Sequence, residues 1–171
     1  MDKLKIVNVC VLFSKNNKIG SKFISRLTKH LNNKKSITPS HVALLIENRW
    51  VFESTFEKGI KITPFSTWSS CGNEIVHLHY LGEYKYHTIK TLYRSLGGRK
   101  YDWLGVIYLG IKIALNKLFG CPIGNKNLLE NPNKYFCTEV LEYFINKDLS
   151  MTSPVELMVY LLEADNENKN A

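Results

Sequence analysis

Residues 40–54 read SHVALLIENRWVFES, and how this stretch folds back on itself decides the architecture. Val42–Ile46 and Trp50–Phe52 are apolar runs of the branched and aromatic kind that suit strands. Between them stands Glu47-Asn48-Arg49, a short polar break with asparagine at its middle, which is a hairpin signal. Strands are therefore expected at His41–Ile46 and Trp50–Ser54. Their register depends on loop length, because side chains alternate faces along a strand. A two-residue loop at Asn48-Arg49 pairs Leu44 with Glu53 and puts Glu53 on the face away from His41. A three-residue loop, Glu47 to Arg49, pairs Ala43 with Glu53. His41 and Glu53 then share a face as diagonal neighbours, roughly 7 Å apart at Cβ.

Working outward, Ile6 to Phe13 is an apolar run broken by Asn8 and reads as a buried strand. Ile19, Phe23, Ile24, Leu27 and Leu31 recur at helical spacing with Lys22, Arg26, Lys29 and His30 between them, predicting an amphipathic helix. Thr38-Pro39-Ser40 favours extended chain before the hairpin. Further strands are expected at Lys61–Phe65 and Glu74–Tyr80, and helices at 84–96 and about 102–118. Gly97-Gly98 ends the first of these helices. Gly120 to Asn133 has the composition of a surface flap. A helix is expected over Phe136–Asn146. Ser153-Pro154-Val155-Glu156 is a capping box with proline at the first helical position, predicting another helix there. Asp165 to Ala171 reads as a polar tail after a single domain spanning 1–164.

The chain has 171 residues, 44% of them apolar and 22% charged. That length is enough for one domain burying about 70% of its unfolded surface, without disulfide or metal staples. Cys10, Cys71, Cys121 and Cys137 show no CxxC spacing, which argues for reduced thiols. The opening apolar run is too short for a leader, and Trp103–Phe119 is interrupted by Lys112, Asn116 and Lys117. A cytoplasmic protein is expected, in the host cytoplasm if viral. The net charge of +8 is uneven: no acidic residue stands between Asp2 and Glu47, where nine lysines and arginines fall. A solvated basic face and an anionic partner surface both accommodate this.

Tyr135-Phe136-Cys137-Thr138-Glu139 brings a polar loop through an aromatic step to a cysteine at a helix start. Unpaired N–H groups there stabilise a thiolate and can face an oxyanion. The same residue also reads as a small buried hydrophobe beside Val140 and Phe144. His41, at the first position of its strand, is a candidate base; structural histidines in such places are common. His77 and His79 share a strand face near Cys71, but no fourth metal ligand is evident, so neither metal nor cofactor is expected.

Taken in order, Ser40-His41-Val42-Ala43, Glu53, Tyr101-Asp102, Phe136-Cys137-Thr138-Glu139 and Ser153-Pro154-Val155-Glu156-Leu157 resemble the permuted NlpC/P60 group of papain-like proteins. That group has bacterial, phage and poxvirus members. The resemblance covers about residues 4–162, and the histidine precedes the cysteine as the permutation implies. It implies an α+β papain-like fold, with an antiparallel sheet packed against helices. It also implies Cys137 as nucleophile, His41 as general base and Glu53 as orienting group, with Tyr101, Phe136 and Thr138 about the oxyanion and substrate pocket. Lys100 replaces the proline of the group's Pro-Tyr-Asp motif, and Thr138 replaces a serine.

The function expected from this is a thiol hydrolase or acyltransferase that cleaves an amide or ester through an acyl-enzyme. As the resemblance implies, substrates range from peptide amides to acyl chains on lipids. The basic region at 18–35 offers a surface for an anionic membrane, with nucleic acid the less favoured partner. The rival class is a non-catalytic binding module of the same fold in a virus–host or assembly interaction.

Overall fold

In the first strand, β1 (Ile6–Lys15), alternate residues go to opposite faces: Val7, Val9, Val11 and Phe13 to one, Cys10 and Leu12 to the other. This is a computed structural model, and it describes residues 5–17, 19–28, 38–120, 133–150 and 152–170. Helix α1 (Ile19–Thr28) follows, then β2 (His41–Ile46), β3 (Trp50–Thr55) and β4 (Gly59–Pro64). Next come a short helix α2 (Phe65–Ser70), the long strand β5 (Glu74–Lys85) and helix α3 (Tyr86–Leu96). All five strands join one antiparallel sheet in the order β4-β3-β2-β1-β5. The protein is thus α+β, with its sheet packed against helices.

The C-terminal half adds helix α4 (Trp103–Phe119), a 3₁₀ turn (Glu139–Leu141), helix α5 (Glu142–Ile145) and helix α6 (Pro154–Asn170). Two short strands, β6 (Lys100–Tyr101) and β7 (Lys134–Tyr135), pair in parallel and bring the chain on either side of α4 together. On one face of the sheet Val42, Leu44 and Phe52 join the odd residues of β1. There they pack against Ile89 and Leu92 of α3, Val140, Leu141, and Leu157 and Leu161 of α6. On the other face a smaller cluster, Leu12, Ala43, Leu45 and Val51, is covered by Trp68 of α2.

Several boundaries differ from those expected. β5 runs to Lys85 because its ladder with β1 continues to Ile6↔Lys85. The register shifts between Val9 and Cys10, where Gly82 takes φ 130° and lets the strand bulge. The single helix expected over Phe136–Asn146 is instead an irregular turn at Cys137-Thr138, the 3₁₀ turn and the one-turn α5. Side chains claim the backbone there: Glu139 Oε2 accepts from Phe136 N at 2.8 Å, and Thr138 Oγ1 donates to Thr152 O at 2.8 Å. α2 falls between two expected strands. α6 has the expected capping box, with Ser153 N 2.8 Å from Glu156 Oε2 and Glu156 N 3.3 Å from Ser153 Oγ. It also continues through residues 165–170, where a polar tail is expected. Asp165 Oδ2 lies 3.1 Å from His79 Nδ1 and holds that turn against β5. Most of the flap at 120–133, and residues 29–35 of the basic region, lie outside the described residues.

Candidate active site

The hairpin resolves the parity question in favour of the odd loop. Leu44 pairs with Phe52, Leu45 with Val51 and Ile46 with Trp50, which leaves Glu47-Asn48-Arg49 as a three-residue connection. Glu47 and Asn48 both take left-handed conformations, at φ 53° and 52°. That is uncommon for glutamate. It is held by three bonds to β1: Glu47 N donates to Asn8 O at 2.9 Å, and its carboxylate accepts from Asn8 N and, at 3.3 Å, from Asn8 Nδ2. With this register Glu53 and His41 share a face, and His41 Nε2 lies 2.8 Å from Glu53 Oε2.

Glu53 is 3% exposed and has donors on both oxygens. Trp68 Nε1 donates to Oε2 at 3.1 Å, and Lys61 Nζ stands 3.1 Å from Oε1. Burial alone would raise the Glu53 pKa. The hydrogen bond and charge of His41, then the charge and bond of Lys61, override it and hold the carboxyl at about 2. Nothing in the sequence singles out Lys61 or Trp68. Lys61 stands directly opposite Glu53 in the β3–β4 ladder, a placement that strand pairing could have revealed. Trp68 arrives on a six-residue helix with no periodicity to announce it.

Cys137 reaches this hairpin through a chain of backbone and side-chain bonds. Ser54, next to Glu53, donates its hydroxyl to Tyr135 O at 2.6 Å. Tyr135 pairs with Tyr101, and its carbonyl also accepts from Asp102 N at 3.3 Å. Cys137 then lies two residues on, buried at 2% exposure and close enough to His41 to couple to it electrostatically. Glu53 occupies Nε2, which leaves Nδ1 as the other ring nitrogen. Burial works to lower the His41 pKa; the bonds and charges of Cys137 and Glu53 overcome it and push it up to about 10. The imidazole is therefore held as imidazolium through neutral pH.

Tyr101 is electrostatically coupled to the same sulfur. Burial raises its pKa well above the ordinary phenol value, and the negative charges of Cys137, Glu139 and Asp102 raise it further. Its hydroxyl thus stays a donor. Phe56 and Trp103 brace the ring edge-on, with centroids 6.4 and 5.9 Å away. Beside Cys137 lies a small apolar cleft with about 20 Å³ of room, lined by Ile24, Tyr101, Val106, Ile113, Phe136 and Cys137 among others.

Of the residues expected about the pocket, Tyr101 and Phe136 line this cleft. Phe136 N–H is committed to Glu139. Thr138 departs from expectation: its hydroxyl is directed to the carbonyls of Leu149 and Thr152 and is structural. The helix-dipole argument for Cys137 also lapses, because no regular helix begins there. His41 and Tyr101 are the titratable groups coupled to Cys137. His77 and His79 do not converge with Cys71, and no metal-ligating cluster occurs among the described residues. No family model, curated protein or solved structure matches the chain.

Proposed function

We propose that this protein is a thiol hydrolase or acyltransferase of the permuted NlpC/P60 papain-like kind, with Cys137 as nucleophile, His41 as acid–base and Glu53 as orienting group. One observation carries the reading. The imidazole of His41 hydrogen-bonds the buried carboxylate of Glu53 and is electrostatically coupled to Cys137, which lines a small apolar cleft. Nucleophile, base and orienter in hydrogen-bonded series is the arrangement that activates a thiol.

The steps follow from the geometry. His41 holds the proton at Nδ1, so the sulfur attacks the substrate carbonyl as thiolate and the carbonyl π pair moves to oxygen. The Tyr101 hydroxyl, in the cleft beside Cys137, is the donor assigned to that oxyanion. Collapse breaks the carbonyl's bond to its leaving nitrogen or oxygen, which takes the Nδ1 proton. His41, now neutral, removes a proton from water or another acceptor. That acceptor attacks the thioester, and collapse returns the sulfur. The apolar lining of the cleft favours an acyl chain over a peptide.

Activity-based profiling with acyl and peptidyl electrophiles tests this. Cys137 is expected to be modified, far faster than the exposed thiol of Cys71, and Cys137→Ala to abolish both labelling and turnover. Labelling of Cys137 only after unfolding would defeat the proposal.

A further inference from the structure

Helix α4 is largely apolar, interrupted by Lys112, Asn116 and Lys117, yet it is neither enclosed in the core nor long enough to cross a membrane. A helix of that composition normally occupies one of those settings. Its inner side supplies Val106, Leu109, Gly110 and Ile113 to the cleft. Its outer side exposes Leu104 (51%), Ile107 (45%), Ile111 (52%), Leu115 (40%) and Leu118 (72%). Their spacing of three and four residues aligns them in one stripe along the axis. Five large aliphatic side chains in a row are more than scattered surface apolarity requires. Among the described residues, no helix is long and apolar enough to cross a bilayer.

The charged residues of α4 and of its neighbour α1 are of one sign. Lys112 flanks it, with Nζ 5.5 Å from the Tyr108 ring centroid. Helix α1, which packs against α4, exposes Lys22 and Arg26. Neither helix contains an acidic residue. An aliphatic stripe with cationic flanks matches the interface of an anionic bilayer, where acyl chains meet negative headgroups. A protein partner covering the stripe would not need the acid-free composition of both helices.

We propose that the outer face of α4, with the basic residues of α1 beside it, docks on an anionic lipid bilayer. The docking stands apart from the chemistry at Cys137. The two are neighbours, however, because α1 and α4 both contribute to the wall of the cleft. A docked bilayer would lie about one helix diameter, ~10 Å, from that wall.

Cosedimentation with phosphatidylserine–phosphatidylcholine vesicles tests the proposal, using wild type and Cys137→Ala alike. Both are expected to bind, with affinity falling at higher salt and on pure phosphatidylcholine. The Ile107→Glu/Ile111→Glu variant is expected to bind at least about tenfold more weakly, and Lys22→Glu/Arg26→Glu to lose the preference for anionic vesicles. A second readout needs no disruptive change: the added fluorescence of Ile111→Trp should be quenched by brominated acyl chains. Absence of vesicle binding, added fluorescence in Ile111→Trp that stays unquenched, or binding unaltered by Ile107→Glu/Ile111→Glu would overturn the proposal. So would light scattering that shows a dimer dissociated by that double variant, since the stripe would then belong to a second copy of the chain.

Discussion

Lys61 stands directly opposite Glu53 in the β3–β4 ladder, and its Nζ lies 3.1 Å from the carboxylate oxygen that His41 leaves free. The carboxylate is thereby held between two cations. Under the proposed mechanism, Lys61→Met should allow the Glu53 pKa to rise from about 2 toward 4.5. The acid limb of the turnover–pH profile should move to higher pH in consequence, with little change at neutral pH. The profile measured on both proteins checks this; coincident acid limbs would mean that Lys61 does not act on Glu53.

Trp68 positions the same carboxylate from the other side. Trp68→Phe retains a ring against Phe65 but removes the N–H on Oε2. A hydrogen bond to a charged group is worth about 1.5–3 kcal/mol, so kcat should fall roughly 10–100-fold. KM and the melting temperature should change far less. Glu53→Gln, which weakens the hold on the imidazolium itself, should cost on the order of 10²–10⁴ in kcat.

The pKa shifts predict stability as well as activity. His41 is raised from 6.5 to about 10, so its contribution is complete below pH 6.5 and is lost as pH rises through about 10. Glu53 is lowered from 4.5 to about 2, so its contribution is present above pH 4.5 and is lost as pH falls toward 2. Melting temperatures across pH should form a plateau between these limits, and Glu53→Gln should flatten the acid side. By NMR, the His41 midpoint of about 10 should fall toward 6.5 in Cys137→Ala, which removes a bond and a charge but leaves the ring buried.

Gly59 links the sheet to the strand that leads into Tyr101. It holds φ +63°, and an added Cβ would meet Arg99 O at 2.0 Å, a contact between backbones that cannot yield cheaply. Its neighbour Ile60 donates to that same carbonyl at 2.9 Å. Gly59→Ala should therefore cost about 1–3 kcal/mol or somewhat more, read by denaturant unfolding. Because β6 would be displaced, Tyr101 should lose its place beside Cys137, and turnover should fall beyond what the unfolded fraction explains.

What can be read from sequence follows short-range rules. Strand alternation reduces the His41–Glu53 relation to a choice between two loop lengths, and Ser153 with Glu156 marks the start of α6. The choice itself lies with Asn8, 39 residues before Glu47, which holds that loop in its strained conformation. The helical spacing of Val140, Leu141 and Phe144 predicts a helix start at Cys137. The local contest between side-chain and backbone bonds at Phe136–Leu141 is invisible to periodicity. Trp68 and Tyr101 reach the site through tertiary contacts alone.

The sulfur and imidazole come from segments joined only by the finished fold: the hairpin at 41–55 and the turn after β7. Under the proposed mechanism, a newly made chain would lack its activated thiol until its last third had emerged and docked, and pieces separated by a cut between those segments would each lack one half of the Cys137–His41 pair. Under that mechanism, modification of Cys137 by an acyl electrophile would report that both segments have docked, which modification of the exposed Cys71 would not.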